Sequence, residues 1–121
     1  ALIHDPTVNN GESYDGNGVS LTAFVEAMRE LIAELPGKTL VVSSADLSHV
    51  GPMFGDKQPL VSEDEQSEQF RNSVAKTDQD LLGMVAQNKP DELIGAMAWQ
   101  GNPTRWCSVG NMVAAIQITQ P

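Results

Sequence analysis

"TLVVSSADLSHVGPMFGD", residues 39–56, decides how the chain is read. Its first six residues are short, β-branched or apolar on consecutive positions, the composition of a strand covered on both faces in a parallel sheet. The run ends in Ser43 and Ser44, followed by Asp46 and His49 three residues apart and a loop punctuated by Gly51, Pro52 and Gly55. In open α/β sheets ligands collect beyond the carboxyl ends of the strands, so residues 44–49 lie where a site is expected.

Upstream, Leu21, Phe24, Val25, Met28, Leu31, Ile32 and Leu35 recur at helical spacing behind a candidate N-cap, Ser20, and ahead of Pro36-Gly37. The pattern predicts an amphipathic helix over about 20–35. Residues 6–18 are rich in Asn, Gly and Asp and lack periodicity, which predicts an exposed loop. "ALIH", residues 1–4, is strand-like, with His4 at its end either as a further ligand or as a turn neighbour of Asp5-Pro6. Downstream, Ser62 and Glu65 have the spacing of a capping box, and Phe70, Val74, Leu81, Leu82 and Val85 carry a stripe that predicts a helix over about 62–87. Pro90, with Asp91 and Glu92 in the first turn and Leu93, Ile94 and Met97 on one face, predicts a shorter helix over about 90–99. "WQGNPTRWCSVG" then reads as a loop, and Val109, Met112, Val113 and Ile116 resume the helical spacing to the end.

With 121 residues, 40 % of them hydrophobic and 19 % charged, the chain fits one soluble globular domain. A net charge of -9 and seven scattered Lys and Arg residues exclude a nucleic-acid partner, which needs clustered cations on phosphates. No apolar run reaches the roughly 18–20 residues of a membrane span, so no membrane partner is expected. The single cysteine, Cys107, excludes an intrachain disulfide and fits a reducing compartment, the cytoplasm being the expected location. Ala1 in place of methionine leads us to expect that sequence precedes it.

Either Asp46 accepts a proton from one imidazole nitrogen of His49 and so fixes the tautomer of the other, or Asp46 caps the next turn while His49 bonds to backbone. Cys107, just before a predicted helix, is either a thiol of lowered pKa or a small buried hydrophobe. Ser43 and Ser44 stand in no G-x-S-x-G elbow, and no G-x-G-x-x-G, phosphate-loop or C-x-x-C pattern occurs. Trp99, Trp106 and Met53 are pocket-sized side chains whose expected fate is core packing.

"SSADLSHVGPMFGD" resembles the S-S-D-x-x-H-x-G-x-x-F motif of the Memo family, which includes AmmeMemoRadiSam system protein B, and "NPTRWCSVG" resembles that family's N-x-T-x-x-C-G segment. "AKTDQDLLGMVAQNKPDELIGAM" between them is similar to the family's helical segment, so the resemblance spans about residues 20–118. Ser108 departs from it, standing where the family usually has glycine.

The resemblance implies a fold like that of the LigB-like class III extradiol dioxygenases: α/β, with a mainly parallel sheet flanked by helices. Residues 1–121 would be the C-terminal portion of one such domain, whose N-terminal half, with two further pocket histidines, is not in this sequence. It places Asp46, His49 and Cys107 in one pocket, with His49 and Cys107 as metal ligands and His49 and Asp46 as acid–base and orienting groups. A metal-dependent oxidoreductase using iron or copper is therefore expected, with no metal held tightly by this chain alone. The alternatives are a non-catalytic module binding a small molecule or peptide in the same pocket, and a thiol-dependent enzyme using Cys107 and His49. The partner expected is a second copy or another chain that supplies the missing half and covers residues 39–44.

Overall fold

The computed structural model describes residues 5–121. Its elements are α1 (Pro6–Asn9), α2 (Leu21–Glu34), a 3-10 turn (Pro52–Phe54), α3 (Glu65–Ala86), α4 (Pro90–Gln100) and α5 (Val109–Thr119). Among the described residues there is no strand, which corrects the expectation of an α/β fold with a mainly parallel sheet. The residues 1–4 strand and the His4 ligand both lie outside the described residues.

The correction has a local cause. Residues 39–46 form no regular element: a strand exists only where a second backbone pairs with it, and among the described residues no backbone–backbone bond joins this run to another segment. The both-faces-covered expectation fails as well. Val41, Ser43, Ala45 and Leu47 turn inward, whereas Leu40 is 85 % and Val42 76 % exposed. The period of two is that of a half-covered chain, and a run of consecutive apolar residues conceals it.

Packing is organised by α5, which touches α1, α2, α3 and α4. Its sequence is apolar nearly all round, and Val109, Met112, Val113, Ala114 and Ile116 are buried, as expected for a helix enclosed by others. Against it lie Leu21 and Val25 of α2, Leu81 of α3, and Leu93 and Met97 of α4. Trp106 completes this core. The two other large side chains assigned to it do not, Trp99 being 92 % and Met53 90 % exposed.

Helix starts follow capping chemistry. Ser20 accepts from the Ala23 amide at 3.2 Å to open α2. At α3 the cap is Asp64 rather than the predicted Ser62; its carboxylate accepts from the Ser67 amide and hydroxyl, both at 2.9 Å, and from the Ser62 hydroxyl. These bonds hold the Asp64 carboxyl down at about 2. Pro90 begins α4 at its first helical position, and Gly101, at φ 69°, ends it by donating to Met97 O. The predicted N-terminal loop contains α1, capped by Asp5. It returns through Gly11 at φ 77°, whose carbonyl accepts from the Leu21 amide at 2.8 Å. A Cβ at Gly11 would stand 2.7 Å from that of Leu21, so glycine is required there on two counts.

Burial separates two classes of apolar side chain that composition treats alike. Leu93→Ala, at a position fully shielded from solvent, should lower the unfolding free energy by about 2–5 kcal/mol in urea titration. Val42→Ser should change that of the monomeric chain by less than about 0.5 kcal/mol. A large loss on Val42→Ser would mean that residue 42 is buried in solution.

Candidate metal centre

Two loops build the site: residues 45–56, and residues 101–108, between α4 and α5. They are joined at His49. Its amide donates to Thr104 O at 2.8 Å, and its Nδ1 lies 2.9 Å from Arg105 O. A carbonyl oxygen only accepts, so Nδ1 carries a proton in this bond, and the lone pair of the neutral ring is on Nε2. The Phe54 ring packs edge-on against the imidazole, with centroids 5.5 Å apart.

The second loop is braced from within. Asn102 accepts from the Trp106 amide at 2.8 Å and donates to Trp106 O at 2.7 Å. Buried Trp106 in turn donates from its indole nitrogen to Asp78 of α3 at 2.7 Å, the same oxygen that accepts from Ser48 Oγ at 2.5 Å. The residues next to His49 and Cys107 are thus tied to one carboxylate on α3. At the helix end, Ser108 Oγ accepts from the Asp46 amide at 3.3 Å and lies 3.4 Å from Cys107 Sγ. With its oxygen already accepting from Asp46, the hydroxyl has its proton free for the sulfur.

Asp46, His49 and Cys107 consequently stand together, each offering a donor atom within 4.8 Å of the others. Asp46 and Cys107 are exposed and His49 half-buried. The expected hydrogen bond of about 3 Å from Asp46 to the imidazole is not what the structure has. Asp46 Oδ2 is 3.6 Å from Nε2, beyond hydrogen-bond length, and the orienting partner of the ring is the Arg105 carbonyl on the other nitrogen. Two ligands of one ion, each about 2.0–2.3 Å from it, stand roughly 3.5 Å apart in tetrahedral geometry, so the Asp46–His49 spacing fits a shared ion better than a hydrogen bond.

Arg105, Asp56 and Asp78 were not legible as site residues, since none stands at a defined motif position, and Asn102, the first residue of the N-x-T-x-x-C segment, was not singled out. The guanidinium of Arg105 meets Asp56 through two bonds, of 2.9 and 3.1 Å, and also donates to His49 O at 3.0 Å. Asp56 additionally accepts from the Gly51 amide at 2.8 Å. First the Arg105 bonds and then that amide push the Asp56 carboxyl below the usual aspartate range, and Asp56 raises the Arg105 guanidinium in return. Between α2, α5 and residues 41–44, a groove of about 320 Å³ is lined by Phe24, Met28, Val41, Ser43, Asn111 and Ala114, among others. None of the three clustered donors lines it.

The family model for Memo-like proteins matches residues 16–121, a span that takes in both loops. The chain belongs to the Memo-like protein family. No curated protein and no solved structure matches it. Among the described residues, no helix of this Memo-like protein is long and apolar enough to cross a membrane.

Because the folded-state pKa of Asp56 is depressed, the stability it contributes is present above the ordinary aspartate value of 3.8 and is lost as pH falls through the lower folded value. The amide signal of Gly51, followed by NMR, should therefore hold its native position at pH 4 and move only at more acidic pH. A transition centred above pH 3.8 would show that the Arg105 contact is not formed in solution.

Proposed function

We propose that Asp46, His49 and Cys107 form one wall of a mononuclear iron or copper centre serving oxidoreductase chemistry, the remaining positions being filled by donors outside these three. The observation that carries this is the approach of thiol, imidazole and carboxylate to within 4.8 Å on an open surface, with the Nε2 lone pair of His49 uncommitted. Thiolate and imidazole together suit copper, iron and zinc, and the carboxylate keeps the set able to hold a harder ferrous ion. An iron or copper ion held there supplies one-electron redox chemistry. The chain's own residues do the rest. His49 presents Nε2 at an angle set by the Arg105 carbonyl, Cys107 gives up its proton on binding, Ser108 donates to the resulting thiolate, and Asp46 offsets cationic charge.

The thiol-enzyme alternative is less well supported. In a nucleophilic triad the carboxylate holds the imidazole nitrogen opposite the one that takes the proton. Here Asp46 faces Nε2, and Nδ1 is occupied by a backbone carbonyl. A reduced, exposed thiol is consistent with a cytoplasmic location, which we include in the proposal.

Three donors leave at least one position open, and Leu40 and Val42 expose apolar surface on the segment that leads into the site. Their backbone groups have no partner among the described residues. We therefore place the further donors on a second copy or another chain packed against residues 39–44, with an unidentified small molecule or peptide as substrate.

Titrating the protein anaerobically with Fe(II), Cu(I) and Zn(II) tests the centre. One equivalent should bind with a dissociation constant weaker than about 0.1 μM, the loose end of the range for closed four-ligand zinc sites. Both His49→Ala and Cys107→Ser should abolish it. Binding that neither substitution alters would place the metal elsewhere and remove the proposal.

A further inference from the structure

The geometry points to Arg105, fastened by Asp56, as the positioning residue that holds His49 in the Nδ1-protonated tautomer and so keeps Nε2 available as a ligand. For its metal consequence the inference rests on the centre proposed above; for the tautomer it stands alone.

Three observations converge. Arg105 adopts φ 59°, a left-handed backbone that a long side chain adopts only where its surroundings compel it. Its amide donates to Asn102 O at 3.1 Å, and its carbonyl faces His49 Nδ1. The residue type does not favour this conformation, because Arg105 is neither glycine nor asparagine, and the Asn102–Trp106 bonds that bracket it supply part of the compensation. The rest comes from the side chain. Its guanidinium is gripped through two bonds by Asp56, whose side chain is largely buried, and it reaches back to the carbonyl of the same histidine. Arg105 therefore binds His49 at both ends of the residue: guanidinium to backbone oxygen and backbone oxygen to ring nitrogen. Asp56 is fixed in turn by Gly51, two residues beyond His49, so the loop closes on itself around the clamp.

Remove the charge pairing and the left-handed turn at Arg105 loses the part of its support that comes from the side chain. The carbonyl is then free to swing away from Nδ1. An imidazole without an acceptor on Nδ1 can place its proton on Nε2, where it blocks metal ligation, and the ring can rotate about its side-chain bonds. Lysine at 105 keeps the charge but not the fork, since an ammonium is a single point donor.

The test reads the tautomer without any metal. In wild-type protein at pH 8, two-dimensional ¹⁵N–¹H correlation of the His49 ring should show Nδ1 protonated and Nε2 bare. Asp56→Asn, which keeps the shape and removes the charge, and Arg105→Ala should both shift His49 toward the Nε2-protonated form. Arg105→Lys should fall between. Zn(II) affinity should drop about 10- to 100-fold in Asp56→Asn, the range for loss of an outer-shell partner. Fluorescence of Trp106, shielded where Trp99 is exposed, confirms that each variant is folded. If Arg105→Ala does not fold, Asp56→Asn and Arg105→Lys decide the matter. A wild-type ring protonated on Nε2, or a tautomer unchanged in the folded variants, overturns the assignment. If the tautomer responds as expected but no metal binds to wild-type protein, the clamp stands and the metal centre falls.

Discussion

Everything at this site depends on one seam, the pairing of residues around His49 with residues 104–105. The segment that delivers Asp46 and His49 has no ladder to hold it among the described residues; side-chain bonds from Asn111 and Ser108 and the packing of Ala45 and Leu47 seat it, and the seam fixes its end at His49. There the His49 amide bonds to Thr104 O, the ring bonds to Arg105 O, and the Arg105 side chain closes the loop onto Asp56. A seam of few bonds suffices because both loops are anchored behind it. Trp106 is buried in the core and bonded to Asp78 of α3, and Ser108 leads directly into α5, the helix that the others enclose.

The cluster of donors is a consequence of that construction. Cys107 lies between the most deeply anchored residue of its loop and the first turn of the central helix. Asp46 is brought to it by its own amide bond to Ser108. The arrangement puts a sulfur, a nitrogen lone pair and a carboxylate together at a junction of two loops, with Asp46 and Cys107 exposed. The bare Leu40 and Val42 side chains lie on the segment leading to that junction.

Helices α2 to α5 were legible because each carries a 3.6-residue apolar stripe, bounded in α2 by Ser20 and Pro36-Gly37 and in α4 by Pro90 and Gly101, whereas the four-residue α1 has no stripe and falls in a segment that reads as loop. The sheet was misread for a physical reason. "TLVV" has the β-branched composition of a strand, but strandedness is a property of two backbones, and one sequence run cannot show whether its partner is present. Within the site, the spacing of Asp46 and His49 is local and visible. Their nearness to Cys107 crosses nearly sixty residues and came only from motif resemblance. The bond that orients His49 could not be read at all, because its acceptor is a backbone carbonyl, and every residue has one. Arg105 and Asp56, forty-nine residues apart, are joined by a turn whose left-handed conformation no arginine advertises.

Amide hydrogen exchange tests the seam most directly. In the monomeric chain, at a concentration too low for association through residues 39–44, the His49 amide, bonded to Thr104 O, should be protected from exchange by at least about two orders of magnitude relative to the amides of Val41 and Val42, which have no acceptor among the described residues. Protection at His49 together with free exchange at residues 41–42 is the expected pattern. A His49 amide that exchanges as fast as that of Val42 would mean that the two loops are not joined, and that Asp46, His49 and Cys107 are not held together in solution.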